Sequence, residues 1–187
     1  SLLNKAGFAT LLIDLLTEDE KEIDADTKHL RFDVDLLSDR LIAITRWVSN
    51  NPSTQRLKLG YFSSSTGTGA VLNSLPHIES IKAIVSRGGR VDLCNPDYLQ
   101  QMNTPLLLIV GGKDEFVVNA SRRVIKDISD PQKIELAIIP GASHSFEEAN
   151  TMEDVVNLSI WWFKIHLLGT NDKFVNPFKP NRFNTFS

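Results

Sequence analysis

The chain has 187 residues and a formal net charge of −3, with 42% apolar and 23% charged residues. That is enough for one domain with its own core, and the balance is ordinary for a globular protein. The absence of a basic block argues against nucleic acid or an anionic membrane surface as partner, and no apolar run approaches the roughly 20 residues that span a bilayer.

Cys94 is the only cysteine, so no intrachain disulfide can form. A single thiol and the lack of a signal peptide lead us to expect a cytoplasmic protein. The sequence opens "SLLNKAG", which reads as the end of a helix stopped at Gly7. We therefore expect a chain that begins partway through a domain.

Short apolar runs then alternate with segments of helical period. "FATLLID" (8–14) reads as a buried strand, and the acidic stretch 16–29 as a solvated loop. Asp33 to Ser49 carries Val34, Leu37, Leu41, Ile44 and Val48 at helix spacing. Strands are predicted at 57–62, 81–87, 105–112 and 133–141, and helices at 66–75, 119–129 and 151–168. Strands alternating with helices imply parallel pairing through helical crossovers. The predicted fold is α/β, an open, mostly parallel sheet flanked by helices over residues 1–168, with a polar C-terminal tail at 169–187.

In open α/β sheets, chemistry sits at the carboxyl ends of the strands. "LKLGYFSSSTGTGAVL" (57–72) puts three serines at such an end. A strained nucleophile turn needs small residues two before and two after the nucleophile. Ser63 has Tyr61 before it and Ser64 has Phe62, both too large. Ser65 alone fits, with Ser63 before and Gly67 after, in the form S-x-S-x-G where G-x-S-x-G is usual. The bland reading of the same residues is a polar turn capping a helix. A Walker A loop would need a lysine that is absent, and a dinucleotide fingerprint a third glycine.

A serine hydroxyl needs a histidine base, and the histidine needs an acid to fix its tautomer. In this fold class the chain order is Ser, Asp/Glu, His. Asp114 follows the strand "LLLIV", with Glu115 the weaker candidate beside it. His144 follows "ELAIIP". Three sheet elements thus deliver one group each to one edge, in that order. His29, His77 and His166 fit worse by position. Arg87, Arg90 and Asp92 follow a strand at the same edge, where they could line a pocket and bind an acidic substrate group, or form a structural ion pair among themselves. Cys94 lacks small neighbours and reads as a packed residue, and Trp161, Trp162 and Phe163 read as core. The carboxylates of 18–26 read as a solvated run, and no metal-ligand spacing is visible.

At these residues the sequence resembles the α/β-hydrolase superfamily, most closely its dienelactone-hydrolase-like branch. The matching pieces are "AGFATLLIDLLTEDE", "LGYFSSSTGTGAVL", "VSRGGRVDL", "TPLLLIVGGKDEFV" and "PGASHSFEE", spanning about residues 2–168. The resemblance implies a Ser65–Asp114–His144 triad, with the N–H of Thr66 as one oxyanion donor. Dienelactone hydrolases proper use cysteine, so Ser65 points to serine-using relatives. The family's other oxyanion donor comes from a loop upstream of the strand matching 8–14. The family also places a strand between the ones matching 8–14 and 57–62, so either those two close up, or a separate piece of chain fills the slot, or, as we expect, the sheet is N-terminally incomplete. Some relatives lie fused to, or beside, phosphoribosyltransferase domains, which suggests a nucleotide-linked context.

The expected activity is hydrolysis of a small ester, lactone or thioester, with a small acyl compound as partner and no metal or organic cofactor. The rival expectations are a non-catalytic binding protein on the same fold and an acyltransferase using the same residues.

Overall fold

A computed structural model describes residues 2–128 and 130–170. Its centre is a four-stranded sheet of β1 (Leu59–Ser64), β2 (Ile81–Arg87), β3 (Leu106–Gly111) and β4 (Ile134–Ile139), in the order β1-β2-β3-β4. Every pair is parallel, so the mostly parallel sheet predicted is wholly parallel among the described residues. Parallel strands need crossovers, and α4 (Thr66–Ser74), α5 (Pro96–Gln101) and α6 (Glu115–Asp127) supply them. This is an α/β-hydrolase fold.

β3 is buried at all six positions, as a strand covered on both faces must be. Its alternation divides the core in two. Leu106 and Leu108 pack with Leu37 and Leu41 of α3 (Val34–Asn50) and with Leu72 of α4. Leu107 and Ile109 pack with Val155, Leu158 and Trp162 of α7 (Thr151–Phe163). Each such side chain contributes about 1.5–3 kcal/mol by leaving water. Trp161, Trp162 and Phe163 are core residues, as expected. The last helix continues past Phe163 as a π-helical turn, Lys164–Leu168.

Three expectations need correction. Residues 8–14 form no strand: Leu11 and Leu12 are exposed, Leu12 at 98%. Phe8 packs edge-on against Phe163, at 5.9 Å between ring centroids. β1 pairs with β2 alone among the described residues, so 8–14 does not close up against it. Extended backbone becomes strand only with a hydrogen-bonding neighbour.

The acidic stretch is helical rather than a loop, as α2 (Glu18–Thr27). Thr17 and Glu20 form a reciprocal capping box that satisfies the first-turn amides. Three acidic residues in that turn complement the helix dipole. Nor is the run simply solvated, since Asp24 is buried against Arg31 and Glu20 pairs with Arg40. α5 was missed altogether. Asn95 caps it and Pro96 occupies its first position.

The tail from 171 onward lies outside the described residues. At the other end, the short helix α1 (Leu2–Lys5) is followed by Gly7 at φ +95°. Among the described residues, no helix is long and apolar enough to cross a membrane.

Candidate active site

Ser65 sits between the end of β1 and the start of α4 with φ 48° and ψ −131°. A non-glycine residue there is strained by about 1–3 kcal/mol, and such strain collects at functional turns. The strain is held by backbone bonds. The Ser65 N–H donates to the Arg87 carbonyl at 3.4 Å. Its carbonyl accepts from the Arg90 N–H at 2.9 Å and the Thr68 N–H at 3.1 Å. The loop after β2 therefore grips the turn from the side.

Ser63, where glycine is the norm, has a defined use. Its hydroxyl lies 3.0 Å from Thr68 Oγ1, which lies 3.0 Å from Ser86 Oγ. All three residues are buried. The chain of hydroxyls ties β1, α4 and β2 beneath the turn and satisfies groups that would otherwise be costly to bury. Gly89 closes over this chain: a Cβ there would overlap the Thr68 and Ser86 hydroxyls. Gly67 stands in the open, with nothing within 4 Å of where a Cβ would be. Thr66 opens α4, and its N–H belongs to the first turn, whose amides have no intrahelical carbonyl to bond.

Asp114 and His144 come from the loops after β3 and β4, at the same edge as Ser65. The two loops are stitched together: the Lys113 N–H donates to the Ala142 carbonyl and the Gly112 N–H to the Ile139 carbonyl, each at 2.9 Å. His144 Nδ1 lies 2.6 Å from Asp114 Oδ2. A carboxylate there accepts the Nδ1–H, which leaves Nε2 as the basic nitrogen. The Asp114 side chain is 13% exposed and that of His144 is 49% exposed. Gly88, at φ 55°, brings bare backbone against the His144 ring, with a notional Cβ 3.4 Å from Cε1. Glu115, the weaker acid candidate, is exposed in the first turn of α6. No hydrogen bond joins Ser65 Oγ to His144 among the described residues. Such bonds are often long before substrate arrives.

The remaining candidates separate clearly. Arg90 is a bidentate partner of Asp92, at 2.8 and 2.7 Å, and lies 4.9 Å over the Phe116 ring. Its hydrogen bonds hold the Asp92 carboxyl below the usual range. Arg87 lies 6.0 Å from the Phe146 ring centroid, and its buried Nε has no hydrogen-bond partner among the described residues. Burial pushes the Cys94 thiol up to about 12, which makes it inert. His29 bonds Thr27, His77 is exposed at the opposite edge, and His166 stacks on Trp162. Among the described residues, no group of three or more His, Cys, Asp or Glu side chains could hold a metal ion.

Residues 1–162 match the dienelactone hydrolase family. The chain belongs to that family. Among solved structures, dienelactone hydrolase from Anabaena variabilis is 47% identical, with a TM-score of 0.83 over 89% of this chain and 76% of that one. An alpha-beta serine hydrolase homologue from Coxiella burnetii, 21% identical, shares the fold with a TM-score of 0.58 over 69% of this chain and 59% of that one. Two curated relatives from Mycobacterium tuberculosis strains, provisionally named phosphoribosyl transferases, are each 45% identical over 90% of this chain. The chain spans 37% of the length of those relatives. Family and fold together support a hydrolase.

Proposed function

We propose that this dienelactone hydrolase family member is a serine hydrolase that cleaves a small ester, lactone or thioester through an acyl-enzyme. One observation carries the reading: a strained Ser65 turn stands at the same sheet edge as a His144–Asp114 pair bonded at 2.6 Å. Ser65 Oγ attacks the acyl carbon while His144 Nε2 takes its proton. Asp114 holds the imidazole in the Nδ1–H tautomer and stabilises its cation. The developing oxyanion faces the Thr66 N–H, a contact of the kind worth about a hundred- to thousandfold in turnover. His144 then returns the proton to the leaving group, and water releases the acyl group by the same route. Arg87, without a carboxylate partner among the described residues, suits an acidic group on the substrate.

The curated relatives, of which this chain spans 37%, are named phosphoribosyl transferases. Carried over to this chain, that name sets the hydrolase within or beside a nucleotide-linked protein.

A second reading is favoured by Ser63, which stands where glycine is the norm and serves a structural hydroxyl chain: a binding protein that keeps the fold without turnover. The test is intact mass after incubation with a fluorophosphonate, with Ser65→Ala as control. A single adduct lost in the mutant supports the hydrolase, and no adduct supports the binding protein. Transfer to an added alcohol or amine in place of water would identify an acyltransferase.

A further inference from the structure

The loop that carries His144 is closed by a carboxylate to which neither the sequence pattern nor the triad gives a role. Glu148 accepts the Ser143 N–H with both oxygens, at 3.1 and 3.0 Å, and the Ser143 hydroxyl at 3.2 Å. Lys113 Nζ, one residue before Asp114, stands 3.6 Å from Oε1. The backbone of Glu148 is itself fixed to the start of α7: its carbonyl accepts the Thr151 N–H at 3.2 Å and the Thr151 hydroxyl at 2.7 Å.

Glu148 is thus a strut with one end on a packed helix and the other on the residue before His144. Between its ends, Phe146 takes φ 58° and is 2% exposed in the core against α7. The Glu148 carboxyl is held below its ordinary range, first by the Ser143 backbone bond, so it stays ionised at neutral pH.

We propose that Glu148 is a positioning residue that sets His144 against Asp114 by locking Ser143, the residue before His144. It touches no reacting atom and acts through the loop it closes. The inference rests on the proposed hydrolase for its kinetic arm only.

The test uses the full chain and its Glu148→Ala and Glu148→Gln variants. The first readout is the downfield proton resonance of the His144 Nδ1–H, assigned by its loss in His144→Gln. The second is the rate of fluorophosphonate labelling, and the third is the urea unfolding midpoint. Glu148→Ala should lose or broaden the resonance and label about 10- to 100-fold more slowly, the scale set by small misplacements of a catalytic group. Glu148→Gln keeps an oxygen acceptor for the Ser143 N–H and should restore both. The proposal is overturned if Glu148→Ala keeps the resonance and the rate. It is also overturned if Glu148→Gln loses the resonance while folded, which remains decisive should the alanine variant fail to fold. If the parent chain does not label at all, the hydrolase reading falls, and the resonance still decides the role of Glu148.

Discussion

Asp114 divides its carboxylate between two tasks. Oδ1 accepts the Val117 N–H at 3.3 Å and caps α6, while Oδ2 accepts the His144 Nδ1–H at 2.6 Å. The helix thereby fixes Asp114, and Asp114 fixes His144. Asp114→Asn should keep the cap, since asparagine caps well, yet favour the wrong imidazole tautomer. Ester turnover should fall by about ten-thousandfold with the urea midpoint nearly unchanged. Asp114→Ala should lose about 1 kcal/mol of stability as well. Turnover and urea unfolding of the two variants, side by side, check the division.

Ser65 is costly to the fold. Glycine tolerates its φ of 48° without strain. Ser65→Gly should therefore abolish fluorophosphonate labelling while raising stability by about 1 kcal/mol. A variant less stable than the parent by urea denaturation would contradict the strained-turn reading.

Gly89 lies against the buried hydroxyls of Thr68 and Ser86. Gly89→Ala should overpack that junction and destabilise the chain by about 1–3 kcal/mol. Because the loop also donates the Arg90 N–H to the Ser65 carbonyl, labelling at Ser65 should slow in the folded fraction. Thermal unfolding and labelling rate, read together, test this.

Acid should weaken the junction of α2 with α3. The Arg40 hydrogen bond, then the Thr17 N–H, pull the Glu20 carboxyl from 4.5 down to about 2. A carboxylate depressed in the folded state stabilises above its unfolded value and loses that contribution as pH falls toward the folded one. Glu20→Gln should therefore melt below the parent at neutral pH, and the gap should close between pH 4.5 and about 2. Melting temperatures of both proteins across that range check the sign; a gap that persisted undiminished at the acid end would refute it.

The strands were legible because apolar runs such as "LLLIV" leave no other reading once helices separate them. That Ser65, Asp114 and His144 share one sheet edge was legible because each follows the end of a parallel strand. Two other segments misled for opposite reasons. The signal for α2 was present as Thr17-x-x-Glu20, but the surrounding charge masked it. Residues 8–14 have strand composition, and no composition supplies a hydrogen-bonding neighbour. The Glu148 strut was invisible, because a glutamate four residues after a histidine has no signature until the loop closes on itself.

In this sheet, strand order follows chain order. Because its strands are all parallel, Ser65, Asp114 and His144 emerge at one rim, and the turns at the opposite rim, such as Leu75–His77 and Pro131–Lys133, carry none of them. That rim offers sites for an inserted peptide, tag or graft at turns that are solvent-facing among the described residues. The molecule has a working end and an adaptable end, and an engineer would build on the second.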